Sequence, residues 1–171
     1  SDDEIDPMNG GAALHTVTSC DLARPAQMRC ESSAVLAPPG RVFYVSAGSV
    51  YVWTTEWQRR SAAAPMPRSA VFRLPLDGAL PSMLKTTGAP IDQMSFLEDE
   101  GGHLNVLLRA HARGEGMWNA ERGAGDLALL RVPLSSFGDG ADSAPRSAYR
   151  PLPFMPGHTL HNRFVGDWLL Y

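Results

Sequence analysis

Proline and glycine recur along the whole chain, and their spacing constrains the fold more than any other feature of the sequence. Of the 171 residues, 14 are Pro and 16 are Gly, and they divide the chain into pieces too short for long helices. The pieces between them are rich in Val, Leu, Phe, Tyr, Trp and Thr, and several alternate in side-chain character as half-buried strands do. The clearest of these pieces is 42–57. The sequence therefore predicts an all-β fold.

Internal repeats indicate how these strands are organised. Two hexapeptides nearly coincide, VFRLPL at 71–76 and LLRVPL at 129–134. Tight turns at Gly48, Gly102 and Gly166 are each followed by further strand-forming residues. Equivalent segments recur every 50 to 60 residues or so, an interval somewhat longer than the ~40 to 50 residues of common four-stranded repeat units.

From this order we predict four-stranded antiparallel blades of a β-propeller. The predicted parts are a flexible N-terminal segment at 1–12, a half blade at 13–34, a blade at 41–86, a blade at 91–153 and a half blade at 158–171. Two complete and two half blades make three, whereas closed propellers have about four to eight. The sequence therefore predicts an incomplete propeller.

The residues of the matched strands also resemble a known family. The segments that carry the resemblance are YVWTTEW at 51–57, AVFRLPLDG at 70–78 and GAPIDQMSFLEDEGGHLNV at 88–106. They are similar to the secreted bacterial β-propeller proteins that are distantly related to WD repeats, over roughly residues 41–135. The resemblance implies a propeller fold and brings no catalytic residues with it. The long loops at 58–69 and 111–126 depart from that family's pattern.

An incomplete propeller needs a partner for its exposed strand edges. The segment Trp168–Tyr171 is strand-like and has no turn or polar tail after it, so we expect a continuation. The chain is either a piece of a longer propeller, which the sequence favours, or one of two copies that pair into a six-bladed ring. The expected partner is thus the remainder of a larger propeller or a second copy.

Cys20 and Cys30 are the only two cysteines. They flank a short connection that contains Pro25, so we expect a disulfide between neighbouring strands, which stabilises by roughly 2 to 3 kcal/mol in the loop-entropy model. Two free thiols in a cytosolic protein are the alternative, while the absence of further ligands beside the pair disfavours zinc. A disulfide would imply an exported protein, periplasmic, at the cell surface or secreted. Removal of a signal peptide is compatible with this expectation.

Charge and hydropathy exclude two classes of partner. The 15 Lys and Arg are outnumbered by 18 Asp and Glu, for a net charge of −3, which provides no cationic field for a nucleic acid backbone. No apolar run approaches the ~20 residues that a membrane helix requires. We therefore predict no nucleic acid partner and no transmembrane segment.

Few residues are candidates for metal binding or catalysis. Glu98, Asp99 and Glu100 precede a glycine turn and could offer oxygen ligands to calcium, although a solvated hairpin tip is the commoner role of such residues. His158 and His161 face opposite sides if they lie on a strand, which disfavours a shared metal. The sequence contains no nucleophile elbow, no H-E-x-x-H and no P-loop. We predict no catalytic residue, no resident metal and no cofactor apart from the calcium possibility.

The loops at 58–69 and 111–126 occupy equivalent positions in successive blades, so they should emerge on the same face. We predict that they form a rim that could contact a protein or glycan partner, with two mobile surface loops as the alternative. The rim residues are Arg59, Arg60, Arg68, Arg113, Trp118, Glu121 and Arg122. The predicted function is a non-catalytic propeller module that serves as a binding or structural scaffold. The alternative is part of a propeller-based hydrolase whose active site is completed by other blades.

Overall fold

The computed structural model describes residues 11–23, 25–56, 68–112, 123–156 and 159–171. Within these ranges the chain forms fourteen strands and four short 3-10 helices, and it forms no α-helix. This confirms the all-β prediction. The strands are β1 (Ala13–Asp21), β2 (Arg29–Ala37), β3 (Arg41–Val45), β4 (Ser49–Glu56), β5 (Arg68–Pro75), β6 (Ser82–Thr87), β7 (Ala89–Pro90), β8 (Phe96–Glu98), β9 (His103–Ala112), β10 (Gly123–Pro133), β11 (Asp139–Ser143), β12 (Tyr149–Pro151), β13 (Arg163–Val165) and β14 (Trp168–Leu170).

The strands of the described ranges form four sheets. The first hairpin pairs β1 with β2, and the last hairpin pairs β13 with β14, both antiparallel. The first meander sheet runs β3-β4-β5-β6 with every neighbour antiparallel, and β11 joins it in parallel beside β6. In the second meander sheet, β7 and β8 both pair with β9, and β10 and β12 follow. Each meander therefore offers four consecutive antiparallel strand positions.

Several boundaries differ from the sequence-based expectation. The strand β2 continues to Ala37, past residue 34, because it pairs with the whole length of β1. The dipeptide Asp139-Gly140 is typical of a turn, but it begins β11. There Gly138 exchanges two backbone hydrogen bonds with Met83, of 2.8 and 3.1 Å. The turn character of this dipeptide is kept within β11, where Gly140 has φ +86° and the Ala141 N–H donates to the Asp139 carboxylate at 2.9 Å.

The four sheets pack face to face in the order of the sequence, through three apolar clusters. Val50 and Val52 on one face of β4 pack with Val17 and Val35 of the first hairpin. The opposite face of β4 carries Tyr51 and Trp53, which pack on the second meander. Both faces of the first meander are therefore covered in part, which explains the unbroken apolar run at 50–53. The second meander is likewise sandwiched, with Leu107, Leu127, Leu160 and Leu169 joining it to the last hairpin.

Aromatic side chains hold the two meanders together. Phe96 on β8 lies parallel to the ring of Tyr44 on β3, with ring centroids 5.5 Å apart, and it meets Trp53 edge-on at 6.2 Å. Such ring pairs contribute about 0.5–1.5 kcal/mol each beyond their buried area. The interface between the meanders is thus the largest part of the core.

The two hairpins cover different parts of their neighbouring meanders. The 3-10 turn Gln93–Ser95 contacts both β3 and β13, and β13 also contacts β8. We call β3, β8 and β13 the shared edge of the stack. The last hairpin lies toward this edge of the second meander. The first hairpin packs on β4 and β5. One open groove separates β1 from β3, and another, of about 570 Å³, separates the end of β2 from β5 and β6.

Candidate functional site

Six of the seven predicted rim residues lie outside the described residues, namely Arg59, Arg60, Arg113, Trp118, Glu121 and Arg122. Arg68 is placed at the first position of β5, where its backbone pairs with Glu56 and Thr87. It therefore belongs to a strand rather than to the loop in which the sequence placed it, because β4 and β5 continue their pairing out to this position. His158 and residues 1–10 also lie outside the described part of the chain.

Cys20 and Cys30 form a disulfide beside the turn that joins β1 to β2 in the first hairpin. They are paired directly across β1 and β2, with their Cα atoms 4.1 Å apart. The disulfide prediction is confirmed, and the bond fixes the register of the hairpin.

The predicted calcium residues lie at the turn between β8 and β9, and the sheet geometry gives them different surroundings. Side chains alternate along β8, so Phe96 and Glu98 face the first meander while Leu97 faces away. The Oε2 atom of Glu98 accepts hydrogen bonds from the Ser46 hydroxyl at 2.6 Å and from the Tyr51 hydroxyl at 2.8 Å. Glu98 therefore bridges the two meanders.

Tyr51 supplies the buried half of this bridge. Its side chain is completely buried, and burial together with the hydrogen bond to the Glu98 carboxylate raises the pKa of the phenol well above its ordinary value, with Arg73 acting in the opposite direction. The hydroxyl consequently remains protonated and donates to Glu98. Arg73 itself donates from Nε to the buried Ser49 hydroxyl at 3.0 Å. The result is a small polar network beside the aromatic core.

Asp99 faces the opposite side of the second meander and has its own partners. Its carboxylate accepts from the Arg131 guanidinium, from the Asn105 amide at 3.0 Å and from the His103 backbone N–H at 3.0 Å. Burial raises the pKa of Asp99, but the hydrogen bonds from Asn105 and Arg131 outweigh it and lower the value to about 2. Asp99 is therefore ionised at neutral pH and locks the turn onto β9 and β10.

These carboxylates serve contacts within the protein. Glu100, the third predicted calcium residue, is exposed at the tip of the turn. In the described part of the chain, no group of three or more His, Cys, Asp or Glu side chains is placed to hold a metal ion. Calcium binding at this turn stays a prediction.

A second polar cluster precedes β8 and was missed at the sequence level. The Asp92 carboxylate caps the 3-10 turn Gln93–Ser95 and also accepts from the Asn162 amide at 3.2 Å. Both Asp92 and Asn162 are buried, so this cluster ties the last hairpin to the second meander. The signal for the cap was present in the sequence, since Asp92 lies three residues before Ser95 as in a capping box.

An open groove of about 820 Å³ lies between β1 and the β3–β4 pair. Its floor includes Phe43, Val45 and Val52, and Leu14 and Val17 form part of its wall. Because the lining is mainly apolar and lacks an array of titratable groups, its chemistry suits a packed side-chain surface better than a polar substrate.

No family model, curated protein or solved structure matches this chain. The resemblance to WD-related propellers therefore rests on the sequence features alone. None of the helices in the described ranges is long and apolar enough to cross a membrane.

Proposed function

We propose that this chain is a β-propeller module of an exported protein and acts as a non-catalytic scaffold for binding or assembly. The observation that carries the proposal is the face-to-face stacking of four sheets in sequence order, antiparallel except for β11, with β3, β8 and β13 along one shared edge. Propellers consist of four-stranded sheets arranged around a central channel. The shared edge would line that channel.

The disulfide supports export. Disulfides persist in secreted, periplasmic and cell-surface proteins, whereas the cytosol keeps thiols reduced. The Cys20–Cys30 bond joins strands that hydrogen-bond along their whole length, so it stabilises a hairpin with only two strands. An exported protein keeps this stabilising bond, whereas the reducing cytosol would break it.

The environment of the acidic residues supports a scaffold over a hydrolase. A catalytic carboxyl must reach the substrate, and a general base works best with a pKa near the operating pH. Glu98 directs Oε2 at two hydroxyls of the protein itself, and the pKa of Asp99 is lowered to about 2 by its internal partners. Glu98 joins the two meanders and Asp99 holds the turn after β8 onto β9 and β10, so both carboxylates make structural contacts.

Activity assays test the non-catalytic part of this proposal. Purified protein is incubated with panels of chromogenic aryl glycosides and fluorogenic peptides, alongside the variants Glu98→Gln and Asp99→Asn. We expect no turnover above the buffer blank for any of the three proteins. Turnover by the wild type that either variant abolishes would contradict the scaffold. An experimental structure in which the two meanders lie side by side, rather than face to face, would contradict the propeller module.

A further inference from the structure

One face of the first meander is only half covered. On this face, Val50 and Val52 of β4 pack under the first hairpin, and their cross-strand partners on β3 are Val45 and Phe43. These two partners are 57 and 45% exposed, because β1 does not extend over β3. Leu76, at the end of the same groove, is 39% exposed. The uncovered strip therefore runs along the shared edge.

The last hairpin presents a complementary surface. Its inward side chain Leu169 joins the core of the second meander. Val165 and Trp168 are directly paired and point the other way, as does Leu170 two residues further on. Their exposures are 51, 73 and 55%. An apolar face of this kind on a two-stranded hairpin marks an interaction site.

The two hairpins also represent opposite halves of a four-stranded sheet. The last hairpin lies over the shared-edge part of its meander, whereas the first hairpin packs on β4 and β5 and leaves β3, the shared-edge strand, uncovered. Within the described ranges, β1 pairs only with β2 and β14 only with β13. Each hairpin thus has a free strand edge where the other half of a sheet would hydrogen-bond. Alone, each is a two-stranded unit of marginal stability.

We propose that a second copy of this chain places its β13–β14 hairpin in the groove of the first, and receives the hairpin of the first in its own groove. The order β13-β14-β1-β2 then forms a complete antiparallel sheet from two chains, twice, around a two-fold axis. The proposal rests on the proposed propeller architecture, since the two composite sheets and four meanders amount to a six-bladed ring. The partner of the incomplete ring is then a second copy of the same chain.

The apolar surfaces involved are large enough for a stable dimer. A whole aromatic side chain covers about 150–250 Å², and Val or Leu somewhat less, so the exposed parts of Phe43, Val45, Leu76, Val165, Trp168 and Leu170 come to about 600 Å². Two-fold symmetry doubles this figure to about 1,200 Å², which reaches the range of stable interfaces. The main-chain hydrogen bonds between β14 and β1 add to it. The disulfide keeps β1 in a fixed register to receive them.

Light scattering on the purified 171-residue chain tests the exchange. We expect a dimer of twice the 18.5 kDa chain mass. Trp168→Glu and Phe43→Glu alter side chains that are exposed in one chain, so each variant should fold, with an unchanged near-ultraviolet circular dichroism spectrum per chain apart from the altered ring. Each should raise the dimer dissociation constant about 30-fold or more, as expected for a central aromatic anchor. Leu80→Glu is the matched control, since Leu80 is 87% exposed outside the groove and should leave the dimer intact.

Mixing the two variants tests reciprocity. A pair of Trp168→Glu and Phe43→Glu chains has one damaged and one wild-type contact, so an equimolar mixture should recover dimers that neither variant forms alone. A wild-type monomer with cooperative unfolding would overturn the exchange and leave the stacked scaffold intact, with the groove available to a segment of some longer chain. A dimer that survives both substitutions, or an open-ended polymer, would also overturn the exchange. A wild-type chain without cooperative unfolding would instead count against the proposed module itself.

Discussion

The hydrogen bonds of Glu98 to the first meander predict a defined loss of stability in the variant Glu98→Gln. The carboxylate accepts from Ser46 and Tyr51, and Tyr51 is fully buried. Hydrogen bonds to a charged group contribute about 1.5–3 kcal/mol each, against about 0.5–1.5 kcal/mol for neutral pairs, so the amide should lose about 1 kcal/mol per bond and about 2 kcal/mol in total. For a chain of this length that corresponds to a fall in Tm of about 4–8 °C.

The measurement is urea and thermal unfolding followed by circular dichroism, with Glu100→Gln as the control. Glu100 lies on the same turn and carries the same charge, but it is exposed, so its substitution should change stability by less than about 0.5 kcal/mol. Tyr51→Phe, alone and combined with Glu98→Gln, completes a double-mutant cycle that isolates the bond between the two side chains. Equal stability of Glu98→Gln and Glu100→Gln would refute the bridge, and so would a coupling energy of zero.

Three further predictions concern other contacts. The double variant Cys20→Ser/Cys30→Ser should lose about 2–3 kcal/mol, from the short loop that the disulfide closes, and reductant should lower the urea midpoint of the wild type similarly while leaving the variant unchanged. The pKa of Asp99 is about 2 in the folded protein and near 4 when unfolded, so its contribution to stability is present above pH 4 and is lost as the pH falls toward 2. Asp99→Asn should therefore flatten the dependence of the urea midpoint on pH across that interval. An unchanged slope would contradict the lowered pKa of Asp99. Gly88 has φ +79°, and a Cβ there would lie 3.0 Å from the Arg109 carbonyl oxygen, so Gly88→Ala should destabilise the protein by about 1–3 kcal/mol. A Cβ at Gly48 would meet nothing within 4 Å, so Gly48→Ala should stay near wild type in the same unfolding assay.

Local signals were sufficient to predict most strands. The strand-forming residues along β4 and the glycine turn at Gly102, which has φ +73°, are properties of a few consecutive residues, and they predicted the corresponding hairpins. The Cys20–Cys30 pairing was likewise accessible, because two cysteines flanking a short connection have few other partners. These features depend on neighbours in the sequence.

Features set by distant parts of the chain were not predicted. The strand β11 forms because β6, from the preceding unit, offers it an unpaired edge, and no local pattern in 139–143 indicates this. The same reasoning applies to Glu98, whose partners Ser46 and Tyr51 come from another sheet. Its position two residues after Phe96 does indicate which face it occupies, so that part of the site could have been derived from alternation alone.

The parallel strand β11 changes how the repeats can be divided. In repeat proteins, each unit contacts its neighbours through one interface, and units can be added or removed one at a time. Here the chain reaches back from the second unit after β10 and supplies the outermost strand of the first, with Gly138 and Ala144 bonded to Met83 and Lys85. Dividing the chain near Gly88 would remove β11 from the first meander sheet and leave it without its strand partner β6 on the piece that carries the second meander. The two meanders therefore have to be kept together when the chain is divided or grafted, and the smallest piece with both sheets whole is 41–151.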